Sequence, residues 1–180
     1  MTTATATEQT HPDAPTDAKA SAAPKPGVEY LTFLTHDRRF AAPITEVREI
    51  RNWSNPTTLP HAPPYLLGVV NLRGTVLPVI DLALRLGIGP TKEAPRNVFV
   101  VVEVGDRAIG LLVEAVADIV KPSADDHQPL PDTGSMEAGG VVEGLILSDE
   151  GMVQILQLSA LAVQKVAIHD GVPAGEDQAC

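Results

Sequence analysis

The stretch "GVVNLRGTVLPVIDL", Gly68 to Leu82, is almost entirely apolar and β-branched, yet Asn71, Arg73, Gly74 and Asp81 interrupt it. β-Branched residues pack well on a pleated surface, so the runs on either side read as two strands. Asn71 to Gly74 reads as the tight turn between them, with Gly74 able to take a positive φ at little cost. Arg73 is then pushed outward at the tip, where its guanidinium offers five fixed donors to carboxylates or carbonyls outside the turn. The competing reading is a local salt bridge from Arg73 to Glu49 or Asp81. Asp81 ends the second strand, where it caps a short helix beginning at Leu82.

Working outward, the chain repeats one plan. "DRRFAAPITEVREI" (Asp37–Ile50) aligns without a gap with "DRAIGLLVEAVADI" (Asp106–Ile119). Asp37 meets Asp106, Val47 meets Val116, Glu49 meets Asp118 and Ile50 meets Ile119. Each block follows a strand-like run, "YLTFLT" or "VFVVVEV", and the Asp-Arg between apolar runs predicts a β-hairpin. The opening stretch is echoed by "GLILSDEGMVQILQL", in which Gly68 meets Gly144, Val79 meets Ile155, Asp81 meets Gln157 and Leu82 meets Leu158. Two blocks matching in the same order predict a duplication of hairpin, connector, hairpin. "LALRLG" and "LSALAVQK" fall at matching positions as short helices. Short, regularly spaced strands predict a mostly β fold of small barrels or a sandwich, and each strand-rich half suits a small closed barrel, since closure removes exposed edges. Their expected extents are about residues 28–90 and 97–165, within a folded region 28–168 and open to exchange of strands between them. Residues 1–27 and 169–180 read as flexible tails, being poor in groups that could offset the entropy of ordering. "KPSADDHQPLPDTGSMEAGG", Lys121 to Gly140, is a long polar connector without a counterpart of equal length in the first half.

Composition narrows the function. The chain has 180 residues, 44% hydrophobic but only 3% aromatic, so Val, Leu and Ile must build the core. A net charge of −10 repels phosphate backbones and argues against a nucleic-acid partner. The lone cysteine, Cys180, can form neither an internal disulfide nor a thiolate metal site, which fits a reducing cytoplasm. The N-terminus lacks the basic start and apolar run of a signal peptide, and no run approaches the roughly 20 apolar residues of a membrane helix.

Enzyme chemistry finds little support. Asp132-Thr133-Gly134 spells an aspartic-protease triplet, but that chemistry needs paired carboxylates on buried loops, and this segment is Pro- and Gly-rich. His11, His36, His61, His127 and His169 show no metal-ligand spacing. No catalytic set, cofactor motif or metal site is expected; an enzyme using Asp81 or Asp132 is the remote alternative.

"GVVNLRGTVLPVIDLALRLG" closely resembles the signature of the CheW family of chemotaxis coupling proteins: a glycine, mixed apolar and Asn positions, Leu-Arg-Gly, then an apolar strand with Pro-Val-x-Asp-Leu. "YLTFLTHDRRFAAPITEVREI", "TLPHAPPYLLG" and "VVVEVGDRAIGLLVEAVADI" resemble the family's first hairpin, its connector and the opening of its second half. The resemblance covers about residues 28–165. Ala41 departs from it, standing where the family usually has glycine. The resemblance implies a mostly β fold of two pseudo-symmetric small five-stranded β-barrels, SH3-like, with short helices, and a non-catalytic adaptor, monomeric when free. Its partners would be the regulatory domain of a CheA-type histidine kinase and the cytoplasmic hairpin tip of a chemoreceptor, placing it at membrane receptor arrays through those partners and without inserting itself. For the receptor it points to Val47, Glu49, Gly68, Arg73 and Val98. Val47 and Glu49, two apart on a strand, would share a face, and Gly68 would leave room for a helix. For the kinase it points to Leu72, Arg73, Thr75 and Val76, with Val76 outward as an apolar anchor. An adaptor of a pilus or surface-sensing pathway is the alternative within the same class.

Overall fold

The computed structural model describes residues 27–130, 140–148 and 151–161. Residues 1–26 and 169–180, which make up the tails but for Gly27, and Asp132-Thr133-Gly134 lie outside these residues.

Among the described residues, eleven strands and two one-turn helices follow one another. Strands β1 (Tyr30–Thr35), β2 (Arg38–Pro43) and β3 (Val47–Asn52) precede β4 (Leu66–Leu72), β5 (Thr75–Asp81) and helix α1 (Leu82–Arg85). Strands β6 (Val98–Val104), β7 (Arg107–Val113) and β8 (Ala115–Val120) then lead through the two-residue β9 (His127–Gln128) to β10 (Val142–Ser148), β11 (Gly151–Leu156) and helix α2 (Leu158–Leu161). The fold is mostly β, as expected. The connector after Lys121 is partly structured, carrying a 3-10 turn at Ala124–Asp126 and then β9.

The strands form a six-stranded sheet ordered β8-β1-β2-β11-β10-β9 and a five-stranded sheet ordered β3-β6-β7-β5-β4. The two sheets therefore do not divide the chain at residues 90–97. The first hairpin, β1–β2, joins β10–β11, while β6–β7 joins β4–β5. The joining contacts are the parallel pairs β2·β11 and β5·β7, and in each sheet the strand that follows a hairpin crosses to the other sheet.

The duplication extends to irregularities. A bulge at Val47/Glu49 against β6 matches one at Leu31/Phe33 against β8. Another at Leu66/Gly68 against β5 matches one at Val142/Gly144 against β11. Val79 pairs with Gly110 and Ile155 with Ala41, so Ala41 occupies the place that Gly110 holds in the other sheet. Gly110 sits where an added Cβ would lie 3.3 Å from Val79 Cγ2. Ala41 accommodates its methyl fully buried in a cluster with Tyr30, Ile146, Val153 and Ile155.

One core spans both sheets. Leu31, Phe33 and Phe40 from the six-stranded sheet meet Ile80, Val100 and Leu111 from the five-stranded one, with Leu82 of α1 and Leu161 of α2 in the same cluster. Phe33 and Phe40 face each other across β1–β2 and are at most 1% exposed. Truncating either to alanine would cost about 3–5 kcal/mol. α1 is bound to α2 through Arg85, whose Nη2 donates to the Ala160 carbonyl at 2.9 Å while the guanidinium lies 5.1 Å from the Tyr65 ring. The crossed strands and the shared core make the two sheets one folding unit.

Candidate functional site

The β4–β5 hairpin ends in a two-residue turn, since Leu72 pairs with Thr75. Arg73 has φ 51° and Gly74 φ 87°, the two successive positive values of a type I′ turn, whose twist matches that of the flanking strands. Asn71 Oδ1 accepts the Gly74 amide at 2.8 Å, so the asparagine two residues before the glycine's neighbour stabilises the reversal. Gly74 takes the expected positive φ; the same conformation at Arg73 is not visible in its residue type. Arg73 is exposed and, among the described residues, has no ion pair. The two local partners considered for it are engaged elsewhere. Glu49 lies 3.7 Å from Arg51, and Asp81 is buried inside the fold.

Asp81 is 2% exposed. Its Oδ1 accepts from the Leu84 amide at 3.2 Å and the Thr91 hydroxyl at 2.7 Å, and its Oδ2 from the Thr91 amide at 2.8 Å. Both oxygens are committed to capping α1 and anchoring the loop after it. This geometry makes Asp81 a structural carboxylate rather than a nucleophile.

Beside the tip, Val76 projects outward with 66% of its surface exposed. It lines a groove of about 300 Å³ together with Thr75, Pro78, Val104, Arg107 and Ile109, between the β4–β5 and β6–β7 hairpins. A second concavity, of about 530 Å³, is lined by Leu72 and Asn71 with Ile50, Trp53, Phe99 and Val101. The four residues assigned to the kinase thus share one projecting hairpin flanked by two hollows.

The residues assigned to the receptor do not form one surface. The bulge at Arg48 sets Val47 opposite Val102 and Glu49 opposite Val101, consecutive residues whose side chains leave β6 on opposite sides. Val47 and Glu49 therefore do not share a face, which corrects the alternation read from the sequence. Val47 and Val98 both pack against the shared core, while Glu49 lies on the other face with Arg51. The room above Gly68 is also already occupied. Gly68 has φ 142°, and an added Cβ would overlap the Thr57 carbonyl oxygen and lie 2.6 Å from its carbon. The chain's own connector, rather than a partner helix, covers this glycine.

Two residues at this site were missed in the sequence. Ile50 is 46% exposed, and the Trp53 ring lies 5.1 Å from that of Phe99 at 47°. The available signal was the chain's single tryptophan, placed just past a strand rather than within one. Among the described residues, no three His, Cys, Asp or Glu side chains gather to hold a metal ion, and no helix is long and apolar enough to cross a membrane.

Comparison with known proteins extends this geometry. A family model described as the CheW-like domain matches residues 29–166. The "Probable chemotaxis protein CheW" of Rhizobium etli is 42% identical over 133 residues, covering 74% of this chain and 86% of that protein. The "Chemotaxis protein CheW" of Bacillus subtilis is 26% identical over 149 residues, covering 83% of this chain and 95% of its own. Among solved structures, the scaffolding protein TtCheW from Thermoanaerobacter tengcongensis superposes with a TM-score of 0.68 at 27% identity, covering 73% of this chain and 89% of that one. With a duplicated two-sheet fold, the Leu-Arg-Gly hairpin and a family match spanning the folded region, the chain belongs to the CheW-like family.

Proposed function

We propose that this chain is a non-catalytic scaffold that couples chemoreceptors to a CheA-type histidine kinase in bacterial chemotaxis signalling. The family match over residues 29–166 is the observation that carries this reading. The geometry supports it: the hairpin presents exposed Arg73 and Val76 beside two hollows, while the buried carboxylate in the signature stretch is consumed by capping. Leu72, Arg73, Thr75 and Val76 form the kinase face. The receptor contacts Arg73 and the Glu49 face of β3, with Val47, Gly68 and Val98 acting from beneath by fixing the strands that carry that surface. The protein works in the cytoplasm, reaches the membrane through its partners, and requires no cofactor.

Reconstitution tests this reading. Receptor cytoplasmic fragments, kinase and this chain are combined, and kinase autophosphorylation is measured with and without the chain. Kinase activity that responds to receptor only when the chain is present supports the scaffold role. Activity independent of the chain, with no binding to either partner, rejects it.

A further inference from the structure

The two sheets are stoppered at equivalent places by different rings. Phe99 is the second residue of β6, and Tyr30, the first of β1, holds the equivalent position. In the five-stranded sheet Phe99 is covered by Trp53, from the connector after β3. In the six-stranded sheet Tyr30 is covered by His127, from the connector after β8, with ring centroids 6.0 Å apart and planes at 60°. The backbone repeats this correspondence. After β3, Thr57 bridges to Val69 on β4, exchanging hydrogen bonds of 2.8 and 2.9 Å. After β8, Gln128 pairs with Leu145, the residue of β10 that corresponds to Val69. One stopper cannot titrate; the other can.

We propose that His127 is an acid-released latch: neutral, it holds β9 against β10 and covers Tyr30, and on protonation it leaves, freeing the outer edge of β10. Both His127 ring nitrogens are buried without a hydrogen-bond partner among the described residues. A neutral imidazole carries one donor and one acceptor, whereas the protonated ring brings two donors and a charge into the same apolar contact. Asp126 is the one carboxylate that favours the charged ring, and its Oδ2 is already engaged by the Ser123 amide at 2.7 Å and hydroxyl at 2.8 Å. Tyr30 faces His127 from β1 with an acceptor oxygen at most, and Glu143 of β10 and Glu46 act on that phenol. Burial pushes the His127 imidazole below the usual histidine value, outweighing the opposite pull of Asp126. For a base whose folded value is depressed, the latch is fully held above the ordinary histidine range and is lost as pH falls through it. β9 itself has only two residues and two partners on β10, between the Ala124–Asp126 turn and Leu130, which packs against the shared core.

The test is hydrogen exchange on the full chain, corrected for intrinsic rates. Between pH 7.5 and 5.5 the opening constant of the β9–β10 ladder should rise about tenfold, the limit for one proton excluded from the closed state one unit below the ordinary histidine value. The Thr57–Val69 bridge should stay level, because Trp53 has no proton to gain. In His127→Phe, which keeps a ring against Tyr30, the β9–β10 opening should lose its pH dependence. Independently, the His127 imidazole followed by NMR in the native chain should titrate below the usual histidine value. A normal or raised titration, an unchanged β9–β10 ladder, equal loosening of both bridges, or a pH-dependent ladder in a folded His127→Phe would each overturn the latch.

Discussion

The carbonyl of Thr57 lies over the α-carbon of Gly68, so closely that no side chain fits between them. Thr57 also forms the backbone bridge to Val69, the residue after Gly68. Gly68 is thus a packing glycine for the chain's own connector, and the glycine in the turn, Gly74, is of a different kind: a Cβ there would meet nothing within 4 Å.

Gly68→Ala should destabilise the fold by at least about 2 kcal/mol, adding overpacking against Thr57 to the strain of a positive φ. Urea denaturation of the variant measures this. A stability equal to the parent's would mean that the connector does not lie over β4.

Gly74→Val meets only the backbone penalty, because the space is open. The expected loss is roughly 1–3 kcal/mol from holding a β-branched residue at positive φ. An unchanged melting curve would remove the type I′ turn.

Asp81→Asn replaces one of two accepting oxygens with a donor facing the amide and hydroxyl hydrogens of Leu84 and Thr91. Stability should fall by about 1–3 kcal/mol, and thermal denaturation reads the loss. A neutral substitution would show that the Thr91 loop is not held through this carboxylate.

Arg73→Glu should leave the fold intact to within about 0.5 kcal/mol, since Arg73 is exposed and has no ion pair among the described residues. Affinity for a partner that buries the guanidinium should fall by about 2–5 kcal/mol. That is roughly thirty-fold or more. Calorimetric titration against the kinase regulatory domain and a receptor fragment, on one preparation, separates the outcomes. Undiminished affinity for both would move the docking surface off this hairpin.

Val76→Asp tests the kinase face alone. An outward valine at 66% exposure contributes little to the core, so Tm should hold. Kinase affinity should drop about tenfold if Val76 is an apolar anchor at the centre of the contact. Receptor affinity should stay at the parent value, and an equal loss for both partners would contradict the division of faces.

What the sequence by itself determined is local or repeated. The duplication was legible because both copies keep the same apolar spacing, and the structure carries it down to matched bulges. The reversal at Asn71–Gly74 was legible because asparagine and glycine suit a tight turn. The role of Asp81 was legible because a carboxylate before a short helix has free amides to accept. Tertiary structure alone decided which hairpin joins which sheet. Parallel pairing of β2 with β11 and β5 with β7 links segments far apart in sequence, and strands with similar apolar content leave no local mark of their partners. It also decided the faces of Val47 and Glu49: one extra residue in a bulge shifts the two-residue period of a strand, so every side chain beyond it changes side. Likewise, whether space beside Gly68 is free for a partner depends on where a connector some ten residues away comes to rest. Only the packed chain settles that, because the hydrogen bonds that draw Thr57 onto Val69 exist only once β4 is in place.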